Sequence, residues 1–98
     1  MPMLCGGWGQ TKDADDLTHR IVAQVKPELE RKLNREFEQL SAVSYKSQIV
    51  NGTNYLIKAK ASDDEHVHIR VHLPIRSEEA SLVNHKDKVP PSDELEVF

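Results

Sequence analysis

Few side chains in this sequence could do chemistry, and their spacing says what kind. There is one cysteine, Cys5, and there are five histidines. His66, His68 and His72 fall at even intervals in an alternating run, so on a strand they project from one face. A His-x-His pair on a strand can hold a metal. No carboxylate or cysteine is spaced to complete one, so the expectation is a solvated strand face and no metal. Cys5 as a nucleophile would need a fixed histidine and a rigid perch. It lies instead in Met1–Lys12, a stretch with three glycines and no periodicity. On the apolar strand face described below, Tyr45 and Tyr55 are the only ionisable groups. The residues argue against an enzyme and for a protein that binds, with no cofactor.

The bulk composition narrows the class of partner. The chain has 98 residues, 38% of them apolar, and a net charge of −3. Nucleic-acid binding needs a concentrated positive face, which this charge balance does not favour. A single cysteine excludes an intrachain disulfide framework. No apolar run has the length of a signal-peptide core or a membrane span. The expectation is one domain over residues 1–98, in a reducing compartment such as the cytosol.

Residues 1–12 read as a flexible arm. A helix is predicted from Asp13 to Phe37, because Leu17, Ile21, Val25, Leu29 and Leu33 recur on one face with Val22. Asp13 is the expected N-cap, and Arg31, Lys32 and Arg35 complement the dipole at the other end. Pro27 falls mid-pattern and predicts a bend. The period then changes to two. Val43, Tyr45, Ser47 and Ile49 alternate with polar neighbours, and Asn51-Gly52 is a strong hairpin signal. Tyr55, Ile57, Ala59 and Ala61 form the next strand, and Ser62–Glu65 the next turn. Val67, Ile69, Val71 and Leu73 follow, stopped by Pro74. Residues 76–80 read as a loop, 81–86 as a short strand, Val89-Pro90-Pro91 as a break, and Leu95 and Val97 as a last short strand. The class is α+β: an antiparallel sheet of four to five strands on one long helix.

A meander puts alternate turns at one end of the sheet. The Asn51-Gly52 turn therefore shares an edge with Leu73-Pro74, and the arm before the helix returns to that edge. All three elements are apolar there: Met1, Met3 and Leu4 in the arm, Ile49-Val50 at the first turn, Leu73-Pro74-Ile75 at the second. Alternation can bury only one of Ile49 and Val50. An edge with three aligned apolar projections is a candidate binding surface.

The same segments resemble the stefins, the single-domain, disulfide-free branch of the cystatins. Gln48-Ile49-Val50-Asn51-Gly52 is similar to the Q-x-V-x-G motif of that family's first hairpin. Ala42–Ser47, Thr53–Lys58 and Val67–Val71 resemble its flanking strands, Leu73-Pro74 its second hairpin, and Asp93–Phe98 its C-terminus. Leu4-Cys5-Gly6 resembles its N-terminal segment. Asn51 stands where stefins commonly have alanine. The segment between Val71 and Leu73 is shorter than in stefins, so the second tip is Leu73-Pro74 or Ile75-Arg76. The doubled Gly6-Gly7 leaves two candidates for the glycine pivot.

The resemblance implies a reversible, competitive, tight-binding inhibitor of papain-like cysteine proteases such as cathepsins. A wedge of arm and two hairpins would bridge the catalytic thiolate without offering it a peptide carbonyl. The implied protease-binding residues are Leu4, Cys5, Gly6, Gly7, Gln48, Ile49, Val50, Asn51, Gly52, Leu73 and Pro74. Leu4 would fill an apolar subsite, and the glycine would let the backbone turn away from the nucleophile. A non-inhibitory interaction domain on the same fold is the alternative, separated by titration against papain. The active form is expected to be a monomer. Opening of the first hairpin predicts a domain-swapped dimer, and exposed Cys5 a disulfide-linked one.

Overall fold

The computed structural model describes residues 7–96 and Phe98. A two-residue strand β1 (Lys12–Asp13) leads into α1 (Asp16–Leu33), and four strands follow: β2 (Ser41–Val50), β3 (Gly52–Ser62), β4 (Glu65–Leu73) and β5 (Ser81–Val89). They form one five-stranded sheet in the order β1-β2-β3-β4-β5, antiparallel throughout. The meander and its single helix agree with the class expected from sequence. Of the stretch expected as an arm, Lys12 pairs with Tyr45, and the Gly9 N–H donates to the Ser47 carbonyl at 2.9 Å; Asp13, expected as the helix N-cap, pairs with Ser44 instead.

The helix is shorter than its sequence pattern at both ends. Asp15, not Asp13, is the N-cap. Its carboxylate accepts the Thr18 N–H at 2.9 Å, and Thr18 Oγ1 accepts the Asp15 N–H at 2.8 Å. This reciprocal box satisfies two donors that a helix start leaves unpaired. The Thr18 backbone bond, assisted by the Tyr45 hydroxyl, holds the Asp15 carboxyl below its ordinary value. At the other end Asn34 adopts the left-handed conformation (φ 54°, ψ 45°), and the Arg35 N–H turns back to the Glu30 carbonyl. Asparagine tolerates that conformation where most side chains do not. Phe37 therefore lies beyond the helix but is still buried, with the Arg35 guanidinium 4.5 Å from its ring centre. Pro27 sits inside the helix, exposed.

Alternation splits the sheet into two faces. The inner face carries Ile57, Ala59, Val67, Ile69 and Val71, all fully buried against Ile21, Val22, Val25 and Leu29 of α1. Each valine, leucine or isoleucine among them contributes about 1.5–3 kcal/mol when fully buried. Leu17, counted in the helix stripe by its spacing, is 40% exposed.

The outer face departs from the sequence reading. His66 and His68 are buried, at 7% and 3% exposure, where a solvated strand face was expected. The cause is the chain after β5. Pro91 and Asp93 offer their carbonyls to Lys58 Nζ at 2.7 and 3.0 Å, and the Phe98 backbone oxygen accepts from Arg70 at 2.8 Å. Leu95, expected in a last strand, forms none; it is buried in this crossing, as is the outer-face Leu56. Val97, the other residue of that expected strand, lies outside the described residues. β5 is longer than the expected 81–86, running to Val89, which is buried and pairs with His66.

Candidate functional site

The two hairpins that end at the common edge, β2–β3 and β4–β5, are coupled through the pairing of β3 with β4. β2 and β3 remain paired up to Val50 and Gly52, leaving Asn51 alone at the tip. A two-residue Asn-Gly turn of the commonest kind would put both residues at positive φ. Here Gly52 is at φ +102°, and Asn51 is not among the described residues with positive φ. The turn is tighter than its sequence signal, and it rests on Gly52. A Cβ added there would lie 2.6 Å from the Leu73 carbonyl oxygen and 3.1 Å from the Pro74 Cα. Only a hydrogen in that position lets the second hairpin's backbone close against the first.

That closeness fixes the register of the second tip. Thr53 pairs with Leu73, so β4 ends level with the start of β3. The chain leaves the sheet at Pro74 and returns at Ser81, with a turn in which the Ser77 N–H bonds the Pro74 carbonyl and Arg76 is left-handed. Leu73 is half-buried and Pro74 exposed, while Ile75 is 60% exposed. The tip of the second turn is thus Ile75-Arg76, the second of the two alternatives, with Leu73 and Pro74 at its base. On the first tip Ile49 is 70% exposed, Val50 half-buried and Asn51 exposed. The alternation argument therefore assigns Ile49 to the surface.

Gln48 stands at the base of the first tip, half-buried, where its side-chain oxygen accepts from Asn54 Nδ2 at 2.9 Å. Asn54 in turn contacts His72 Nδ1 at 2.7 Å. The oxygen of Asn54 can only accept, so the histidine Nδ1 carries the proton in this pair. Gln48, Asn54 and His72 come from β2, β3 and β4 and lie in one row across the outer face. Reading the sequence strand by strand missed Asn54 and His72. The signal was available in the register: two residues past Gly52 meets one residue before Leu73 once Thr53 and Leu73 are opposed.

The third element approaches from the other side of β2. With Gly9 bonded to Ser47 and Lys12 opposite Tyr45, the segment runs antiparallel to β2 and heads toward Ile49. Gly7 is exposed and has open space around it. Leu4, Cys5 and Gly6 lie outside the described residues. Of the residues at the two hairpin tips only Arg76 is charged, so the edge is apolar and nearly neutral. Among the described residues it holds no paired general acid and base and no activated nucleophile. Among the described residues no cluster of three or more histidines, cysteines and carboxylates could hold a metal ion. What this arrangement can do is enter an apolar cleft.

The family described as the cystatin domain matches residues 6–88. The chain is 42% identical to cystatin-B of Pan troglodytes over 98 residues, covering 98% of this chain and 100% of that protein. It is 40% identical to human cystatin-A over 98 residues, with the same coverage of each chain. Cystatin-A2 of Dictyostelium discoideum is 40% identical over 93 residues, covering 95% of this chain and 96% of that protein.

Proposed function

The chain belongs to the cystatin family of cysteine-protease inhibitors, and from that premise we propose how it acts. Three projections enter the active-site cleft of a papain-like protease of the cathepsin type. Residues 1–7 lie along the subsites on the acyl side, with Leu4 in an apolar pocket and Gly6 or Gly7 as the pivot. Ile49, Val50 and Asn51 cover the leaving-group side next to the thiolate, and Ile75-Arg76 docks further along. Gln48, Gly52, Leu73 and Pro74 shape these tips from below. Cys5 contributes packing, not chemistry.

The observation that supports this most directly is the opposition of Thr53 and Leu73, which holds both hairpin tips level at one edge. Two apolar side chains there, Ile49 and Ile75, are 70% and 60% exposed. Exposed apolar area contributes nothing to the fold and is recovered when a cleft covers it. Inhibition on this reading is competitive, reversible and non-covalent, by a monomer.

We assign it to the cytosol. Asn51-Gly52-Thr53 has the form of an N-glycosylation acceptor, and Asn51 is exposed at the first tip. A glycan there would keep the wedge out of any cleft. Titration of papain should show one-to-one inhibition, full recovery on dilution and an intact inhibitor chain on a gel. Cleavage at Val50-Asn51 or Gly6-Gly7 at turnover rates would make the chain a substrate instead.

A further inference from the structure

Trp8 is the only tryptophan in the sequence, and it stands between glycines, Gly7 and Gly9. Glycine gives a segment more backbone freedom than any other residue. In such a stretch the one large side chain decides where the chain is held. Trp8 is half-buried, unlike its exposed neighbours Gly7, Gly9 and Gln10.

Its partner is distant in sequence. The Arg70 guanidinium carbon lies 5.5 Å from the centre of the Trp8 ring. That is within the range in which a cation over an indole face is attracted by the ring's quadrupole. Arg70 belongs to β4, whereas the Trp8 backbone runs beside β2, so the ring reaches across the outer face. The row it spans is Lys46, Leu56 and Arg70, opposed in that order. Leu56 in the middle of the row is fully buried, so this part of the outer face is covered. Arg70 is itself held, because its NH1 donates to the Phe98 backbone oxygen at 2.8 Å. A planar guanidinium that is fixed at one edge offers its face at a defined place.

We propose that Trp8 and Arg70 form a clamp that sets where the protease-binding arm begins, making both of them positioning residues for inhibition. With the clamp closed, the chain that leads into residues 1–7 is held at Trp8. With it open, the nearest anchor is the Gly9 N–H on Ser47, one residue further along. That residue must then be ordered each time a protease binds.

The inference rests on the reading that residues 1–7 occupy the cleft, and the experiment separates the two. Dissociation from papain is followed by displacement for four proteins: the full chain, Trp8→Ala, a chain lacking residues 1–5, and that shorter chain with Trp8→Ala. The expected result is that Trp8→Ala speeds dissociation of the full chain by about tenfold, the order expected from freeing one residue's backbone. In the shorter chain the same substitution should change nothing, because no arm remains to aim. Trp8→Phe should recover most of the loss. In the free protein, Arg70→Gln should make Trp8 fluorescence more open to acrylamide quenching.

The outcomes divide cleanly. If removing residues 1–5 speeds dissociation but Trp8→Ala in the full chain does not, the clamp is overturned and the arm reading stands. If Trp8→Ala acts equally in both backgrounds, Trp8 touches the protease or supports the wedge directly, and the clamp is again overturned. If removing residues 1–5 has no effect, the arm reading and the clamp fall together. Unchanged quenching in Arg70→Gln, with the chain folded by circular dichroism, removes Arg70 from the clamp.

Discussion

His72 Nδ1 and Asn54 Oδ1 lie 2.7 Å apart, joining the strand that ends in the second tip to the strand that begins at the first. Asn54 passes the connection on to Gln48 through its Nδ2. Three strands are thus tied by side chains one row below the two hairpin tips. A half-buried hydrogen bond contributes about 0.5–1.5 kcal/mol net. Asn54→Ala removes two and should cost about 1–3 kcal/mol of stability, read as a lower urea midpoint at unchanged slope. Papain dissociation should also accelerate, since the tips lose their common base. A lower midpoint with unaltered dissociation would separate this row from binding.

Gly52→Ala should act more sharply. The new methyl would meet the Leu73 carbonyl at 2.6 Å, in a backbone conformation of φ +102° that side chains rarely adopt. Strain of this kind costs about 1–3 kcal/mol, and part of it is relieved by moving the second hairpin away. The expected protein is folded, melts lower, and inhibits papain at least tenfold less well. Unchanged inhibition would mean that the two tips need not stay level.

The buried histidines predict a dependence on acidity. Burial, followed by the charge of Lys58, holds both His66 and His68 below the ordinary 6.5; Lys60 adds to the effect on His66 and Lys86 to that on His68, while Asp93 opposes it. Among the described residues, His66 Nδ1 and His68 Nε2 are buried with no hydrogen-bond partner. The fold therefore favours the neutral rings, and the unfolded chain takes up protons first as the pH falls. The stability they contribute is complete above 6.5 and is lost below it, as the pH drops through the lowered folded values. The slope should stay below the roughly 2.7 kcal/mol per pH unit that two protons would give. Melting temperatures between pH 7 and 5 should decline, and a His66→Gln, His68→Gln double variant should flatten the decline. Equal slopes in both proteins would show that these histidines already reach water.

The first hairpin joins a ten-residue strand to an eleven-residue one through Asn51 alone. If that turn opens, the same pairings form between two chains. Heating below the melting point should produce a dimer that has lost the first tip and with it papain inhibition. Cys5→Ser should dimerise to the same extent. A dimer that inhibits fully, or one abolished by Cys5→Ser, would have formed by another route.

The inner half of this fold was legible in the sequence because each of its elements repeats a pattern several times. Ile21, Val25 and Leu29 signal one helix face, and Val67, Ile69 and Val71 one strand face. Both patterns depend only on neighbours a few positions away. The outer face was not legible, because what covers it comes from far along the chain. Nothing near His66 or His68 says that Leu95 and the carbonyls after Pro90 will cross above them. The helix end misled for a related reason. Phe37 extends the apolar spacing, but Asn34 turns the chain first, and Phe37 reaches the core from a loop. At the site, Gln48–Gly52 was visible as a motif, whereas the Gln48–Asn54–His72 row depends on a register that only strand pairing fixes.

Ile49 projects into solvent from β2 and Ile75 from the turn after β4, and the alignment of the two is decided elsewhere, by Gly52, by the Thr53–Leu73 opposition and by the inner core. Their side chains carry almost none of the folding energy. If the edge acts as the contact surface proposed above, a change of size or polarity at either tip alters what it recognises while the scaffold stays as it was. Selectivity among target enzymes can therefore drift, or be redesigned, one projecting side chain at a time, and libraries randomised at 49–51 and 74–76 should keep folding as they change their choice of protease.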